Sequence, residues 1–257
     1  MLLSFQKYQA TGNDFVILDN RDGQYRLTTA DVTGICDRRF GVGADGLMLI
    51  ERHPEVDFNL VYFNADGSPS LCGNGSRAAV QMAAGLGLID GKAVFNAFDG
   101  VHEAEILDNG NVRLKMHDVA VTREMEDGVF INTGSPHFVQ WVQDVKDYPV
   151  FDRGRALRYS DSFKPGGTNV NFVENIDRDT IFVRTYERGV ENETLSCGTG
   201  VTASALAASL RQNSSPITVK TLGGELQVEY KSGHDGSFTE IFLIGPAKKV
   251  FTGTMEL

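Results

Sequence analysis

Two of the chain's three cysteines, Cys72 and Cys197, open nearly the same phrase, CGNGSRAAVQMAAGLGL and CGTGVTASALAASL. The small-residue run after each Cys-Gly-x-Gly predicts a helix whose first turn follows the sulfur. A thiol placed there faces unpaired N–H groups and the positive end of the helix dipole, and both favour thiolate over thiol. The glycines let backbone N–H groups approach a ligand without a Cβ in the way. Gly73, Asn74 and Gly75, and again Gly198, Thr199 and Gly200, then form anion nests. With a carboxylate held in such nests and its α-carbon between the two sulfurs, that carbon would lose its proton to one sulfur as thiolate and gain one from the other as thiol. That exchange inverts a carbon without a cofactor. The α-proton of an amino acid is very weakly acidic, so the nests must stabilise the growing carboxylate charge. One such donor contributes roughly 3–4 kcal/mol, so several are needed, together with closure that excludes water. A thiolate facing a thiol is the two-environment arrangement of an acid–base pair.

The plainer readings of the two cysteines are a disulfide between the halves and a pair of buried structural thiols. An odd cysteine count without a C-x-x-C pair argues against a disulfide framework or a thiol redox protein. Cys36, in VTGICDRRF, reads as a small buried hydrophobe on an amphipathic helix. GVGADG at 41–46 fits a dinucleotide fingerprint only by letter, because a strand follows it rather than a helix. The histidines form no metal-ligand spacing, and no metal site is expected.

The elements that must carry the sulfurs are mostly strands. DFVILDN, GLMLIE, FNLVYFN, VHEAEIL and VRLKMHDV alternate as strands in the first half. FINTG, HFVQWV, TNVNFVENI, DTIFVRTYER, ITVKTL, GELQVEYK and TEIFLIG do so in the second. Helices are expected at about 28–39, 73–87, 138–145 and 198–212. The alanine-rich helices are apolar nearly all round and are expected to be buried. The fold class is therefore strand-dominated α+β, with two pseudo-symmetric domains, each a β-sheet or barrel-like unit around a central helix. The polar, weakly patterned MHDVAVTREMEDG marks the boundary. The expected division is 1–118, carrying Cys72, and 119–243, carrying Cys197, with the C-terminal strand, about residues 244–257, packing back on the first.

Bulk composition excludes several classes. With 24 basic and 34 acidic residues the net charge is −10, and no Lys/Arg block stands out. Nucleic acid and anionic membranes are not the expected partners. No apolar run approaches the roughly 20 residues of a membrane span, and the N-terminus lacks the pattern of a secretory signal. A cytoplasmic location is the expectation.

The phrases GNDFVILDN (12–20), DRRFGVGADG (37–46), FNADGSPSLCGNGSRA (63–78), TGSPHFV (133–139), GTNVNFV (167–173) and RTYERGVENETLSCGTG (184–200) span nearly the whole chain. Together they resemble the diaminopimelate epimerases, with both cysteines present. The resemblance implies a cofactor-independent isomerase of lysine and cell-wall precursor biosynthesis, which interconverts LL- and meso-diaminopimelate with Cys72 and Cys197 as its two bases. It implies substrate binding by Asn13, Asn64, Asn169, Glu187 and Arg188, with Gly73, Asn74, Gly198 and Thr199 as the backbone cradle. It places His137 beside one cysteine and Glu187 near the reacting amine. Arg188 would hold the distal carboxylate bidentately. A homodimer follows from the resemblance alone. Two positions depart from the family pattern. Gly46 stands where many members have Gln, and Ser135 where many have Asn. The asparagines also fit turn or capping roles, Glu187 and Arg188 a strand-end ion pair, and His137 a satisfied loop histidine. Proline or hydroxyproline racemases share the two-cysteine scheme, but their substrates lack a distal amino-acid group. A non-catalytic amino-acid-binding protein on the same scaffold would bind without exchanging the α-proton.

Overall fold

In the computed structural model, which describes residues 2–70, 72–211 and 215–257, alternating apolar residues build the strands, and two buried helices stand among them. The chain divides into two units, Met1–Leu114 with Gly245–Leu257, and Lys115–Ile244.

The first unit contains β1 (Leu2–Ala10), β2 (Asn13–Asp19), α1 (Thr29–Cys36), β3 (Gly46–Glu51), β4 (Phe58–Asn64), α2 (Gly73–Gly85), β5 (Lys92–Ala97), β6 (Gly100–Ile106), β7 (Val112–Lys115) and the C-terminal strand, Lys248–Glu256. β1 runs antiparallel to both the C-terminal strand and β2. β2 and β3 are parallel, β3 and β4 antiparallel, and β4 and β5 parallel. β5, β6 and β7 then pair antiparallel in succession. The second unit contains β8 (Thr122–Met125), β9 (Gly128–Asn132), β10 (Pro136–Trp141), α3 (Val150–Arg158), β11 (Asn169–Asn175), β12 (Thr180–Glu187), β13 (Asn192–Thr194), α4 (Gly198–Ser209), β14 (Ile217–Thr221), β15 (Gly224–Ser232) and β16 (Phe238–Gly245).

Strand directions repeat from unit to unit. β9 is antiparallel to β8 and β10, β10 is parallel to β11, and β11 is antiparallel to β12. β12 is parallel to β14, and β14, β15 and β16 pair antiparallel. Thus β1–β7 correspond in order to β9, β10, β11, β12, β14, β15 and β16. α2 and α4 occupy the same place in the two sequences of elements, each preceded by its cysteine.

α4 is buried on every side, from Gly200 through Ser209, and packs among Val139, Val173, Val183, Val219 and Val228. α2 buries Ala78, Ala79, Val80, Met82 and Ala83. Fully burying a Val- or Leu-sized side chain contributes about 1.5–3 kcal/mol, so these apolar helices are held by packing rather than by their own propensity.

Two expectations about helices need correction, and one helix was not expected. The helix expected over 138–145 is strand β10 followed by a short 3-10 turn at Val145–Asp147. His137, Phe138 and Val139 are all buried, so the apolar run has both faces covered and its periodicity does not separate strand from helix. α3 was not expected, because only Val150 and Gly154 are buried in an otherwise charged segment. The first helix is shorter than 28–39. Thr28 caps it in a reciprocal box with Asp31, and Asp37 Oδ1 then accepts from the backbone N–H groups of Arg39 and Phe40, which turns the chain away. Residue 212, the expected end of the last helix, lies outside the described residues. β8 and β13, which are short and polar, also went unread, as did β1 and β5, although both alternate buried and exposed residues.

Candidate active site

In the first unit, Cys72 is the N-cap of α2 and has extended backbone geometry, so the first turn presents its N–H groups beside the sulfur. Cys72 Sγ donates to Asn13 Oδ1 at 3.4 Å, and Asn74 Nδ2 reaches the same oxygen at 3.4 Å. Asn13 is oriented by its other end, where Nδ2 donates to Asp45 Oδ2 at 2.6 Å. Asp45 in turn takes Arg38, which also grips Asp14, and Lys7 closes the cluster at 2.7 Å from Asp14. Burial alone would raise Asp14, but the hydrogen bonds from Arg38 and Lys7 outweigh it and hold the carboxyl at about 2. This charge-balanced group of two cations and two carboxylates makes Asn13 a fixed acceptor. Sequence reasoning found Asn13 but not the ion-pair group behind it.

In the second unit, Cys197 is the N-cap of α4 with the same extended backbone. Here the neighbours form a polar relay. Asn171 Nδ2 donates to Thr185 Oγ1 at 3.1 Å, which turns Asn171 Oδ1 toward His137 Nδ1 at 2.9 Å. Burial pushes His137 down to about 4, so the ring is neutral near pH 7, with its proton on Nδ1. His137 Nε2 therefore accepts the Thr199 hydroxyl at 2.9 Å. Thr199 Oγ1, its only proton used, is left as an acceptor for the Cys197 thiol at 3.5 Å. Thr133 Oγ1 fixes the same residue by donating to the Thr199 carbonyl at 2.9 Å. Gly200 is required for this packing. A Cβ there would collide with Asn171 Nδ2 and come within 3.2 Å of His137 Cε1.

Asn169, Ser135 and Arg188 meet nearby. Asn169 Nδ2 donates to Ser135 Oγ and to the Pro136 carbonyl, both at 2.9 Å, and its Oδ1 accepts the Arg188 backbone N–H at 2.8 Å. Asn169 thus ties the start of β10 to the end of β12. Among the described residues, the Arg188 guanidinium donates to the Gly166 carbonyl, at 3.3 Å. Glu187 is the last residue of β12, half-buried beside it. Asn64 is in the first unit, where its Nδ2 donates to Ser68 Oγ at 3.0 Å within the FNADGS turn. Gly73 and Asn74, like Gly198 and Thr199, form the first turns of their helices.

The two departures from the family pattern have physical counterparts. A Cβ at Gly46 would lie 2.5 Å from Tyr62 Cε2 and 2.7 Å from the Phe63 carbonyl, so the Tyr62 ring fills the space a longer side chain would need. Ser135 is engaged by Asn169. Asn171 was missed although it lies two residues from Asn169, on the same face of β11. None of the three cysteines is in a disulfide. Cys36 is buried, and desolvation raises its thiol to about 11, as suits a packing residue.

The model of the family described as diaminopimelate epimerase matches residues 5–122 and 129–250. The chain is 45% identical over 257 residues to a diaminopimelate epimerase of Flavobacterium psychrophilum, covering 98% of this chain and 100% of that one. It is 43% identical to the enzyme of Aquifex aeolicus, with 99% and 98% covered. Among solved structures, a PhzF-family phenazine biosynthesis protein from Bacillus anthracis superimposes with a TM-score of 0.80 at 14% identity over the full length of both chains. A hydroxyproline epimerase from Agrobacterium vitis does so with a TM-score of 0.68 at 13% identity, covering 98% of this chain and 92% of that one. At those identities the likeness is one of fold. Sequence match, strand order and paired cysteine-headed helices agree, and the chain belongs to the diaminopimelate epimerase family.

Proposed function

We propose that this chain interconverts LL- and meso-diaminopimelate by two-base proton exchange at one α-carbon, with no cofactor. The observation that carries the reading is the duplicated strand order that sets, in each unit, a cysteine at the N-cap of a buried helix. As a thiolate, one sulfur takes the α-proton, and the C–H electron pair passes into the carboxylate-stabilised carbanion. The other sulfur, as a thiol, returns a proton to the opposite face of the carbon. One S–H bond forms as another breaks, and the roles of Cys72 and Cys197 exchange with direction. The first-turn N–H groups of α2 and α4, from Gly73, Asn74, Gly198 and Thr199, stabilise charge on the reacting carboxylate. Glu187 receives the reacting ammonium. Arg188, which donates to the Gly166 carbonyl, takes the distal carboxylate, and Asn13, Asn64 and Asn169 order the polar groups around it. His137 acts through Thr199 on Cys197.

A cytoplasmic location accompanies this reading, and no helix among the described residues is long and apolar enough to cross a membrane. A homodimer also belongs to it, supported by exposed Leu2, Val250 and Phe251 on β1 and the C-terminal strand. The test is chiral chromatography of LL-diaminopimelate incubated with the reduced protein, beside proline and trans-4-hydroxyproline. Formation of the meso isomer is expected. Turnover of the cyclic imino acids alone would replace the substrate, and binding without turnover would make the chain an amino-acid-binding protein.

A further inference from the structure

Arg77, five residues after Cys72 on α2, is fully buried and, among the described residues, has no carboxylate partner. Its guanidinium donates to Asn74 Oδ1 at 2.9 Å, to Thr11 Oγ1 at 3.3 Å and to the Gly73 carbonyl at 3.5 Å, all neutral acceptors. Arg77 Nε finds no acceptor among the described residues. Burying a cation this way is costly unless negative charge offsets it. Asn74, whose Oδ1 takes the guanidinium, shares the Asn13 Oδ1 acceptor with Cys72 Sγ, so the cation is held next to the sulfur's own contacts. Burial pushes Arg77 down to about 10, and negative charge on Cys72 acts against that.

The carboxylates on the strands packed against α2 are committed elsewhere. Asp14 is held by Lys7 and Arg38, and Asp19 by Arg21. Glu51 accepts from Asn20 and Asn59, and Glu105 pairs with Arg113. His102 faces Asp99, and Glu103, Lys248 and Lys249 are exposed.

The repeated strand order supplies an internal control. Five residues after Cys197 stands Thr202, also fully buried, whose Oγ1 donates to the Gly198 carbonyl at 3.0 Å. Arg77 makes the matching contact with the Gly73 carbonyl. Register extends the comparison, because Phe15 pairs with Gly46 in the first unit where His137 pairs with Asn169 in the second. Met48 then answers to Asn171, and the contacts agree, since Gly75 faces Met48 as Gly200 faces Asn171. The first unit thus has an apolar pair and a buried cation beneath its cysteine. The second has a neutral relay and a neutral hydroxyl. Its charged groups on the strands against α4 are mostly paired or exposed, with Arg184 on Glu193, Lys231 on Glu240, and Lys220 and Glu225 exposed. Glu174 accepts from the Val145 N–H. Glu187 and Arg188 bring opposite charges side by side, and Glu229 is half-buried on β15. Cys72 Sγ contacts Asn13 Oδ1 and Cys197 Sγ contacts Thr199 Oγ1, a neutral oxygen in each case. At the corresponding helix position the first unit has a buried cation and the second a hydroxyl.

We propose that Arg77 is a positioning residue that divides the labour of the two thiols, making Cys72 the sulfur that ionises first and Cys197 the one that keeps its proton in the free enzyme. The proposal rests on the two-thiol reading above, but its test does not need turnover. Pulsed iodoacetamide labelling of the reduced protein across pH 6–10, read peptide by peptide, gives the ionisation midpoint of each cysteine. In wild type, Cys72 should label at lower pH than Cys197. In Arg77→Met its midpoint should rise by about one to three pH units, the range for a nearby opposite charge, while Cys197 does not move. Arg77→Lys should keep most of the wild-type behaviour. A Cys72 midpoint unmoved in folded Arg77→Met overturns the proposal. If Arg77→Met fails to fold, the wild-type order and Arg77→Lys decide, and Cys197 labelling first overturns it. Failure of this order with meso product still formed would leave the epimerase reading standing.

Discussion

At the scale of single residues, each cysteine differs from an ordinary buried thiol by what fixes its acceptor. Asn13 is anchored by Asp45, and Thr199 by a histidine that burial keeps neutral. His137 leaves a mark on stability. Its folded value of about 4 lies below the ordinary 6.5, so between these values the unfolded chain takes a proton that the folded chain refuses. Stability should therefore be full above about pH 6.5 and fall towards pH 4, by roughly 3 kcal/mol from this group. Urea titrations of wild type and His137→Gln at pH 7 and 4.5 check this, with a flatter pH dependence expected in the variant. Equal slopes would mean that His137 is protonated in the fold. Cys72 and Cys197 stood out through their own matched phrases, whereas Asn13, Asn169 and His137 became candidates only through the family resemblance of the phrases that hold them. Asn171 and the Lys7–Asp14–Arg38–Asp45 group were not readable, because their partners come from separate strands and only register brings them together. Arg77 carried a signal that was legible but unused, a charge in an otherwise small-residue helix.

At the scale of elements, the two Cys-Gly-x-Gly starts look alike in sequence but differ in tolerance. Gly200 abuts Asn171 and His137, both rigidly bonded, whereas Gly75 meets the flexible Met48 thioether at 3.3 Å. Gly200→Ala should destabilise by about 1–3 kcal/mol through overpacking and disrupt the relay to Cys197. Gly75→Ala should stay within about 1 kcal/mol of wild type, since the methyl also gains helix propensity. Thermal unfolding of the two variants tests the contrast, and equal losses would contradict it. The helices that carry the cysteines were predictable from their small residues. The strand β10 was read both ways, since a run covered on both faces has no polar side to set its period.

At the scale of the whole molecule, the C-terminal strand belongs to the first unit although the second unit is inserted before it. It pairs with β1 from Leu2↔Glu256 to Gln9↔Lys248, and Phe251 meets the Phe5 ring edge-on at 6.0 Å. Deleting residues 248–257 should expose β1 and lower the melting temperature sharply; an unchanged melting temperature would show that this strand is dispensable. The central claim, that two thiols share one inversion, is tested most directly by proton NMR of LL-diaminopimelate in D2O with wild type, Cys72→Ala and Cys197→Ala. The α-proton signal should vanish as meso product appears with wild type, and either substitution should slow meso formation at least about a thousandfold, within the range for loss of an acid–base group. Full-rate epimerisation by either folded variant would contradict the account.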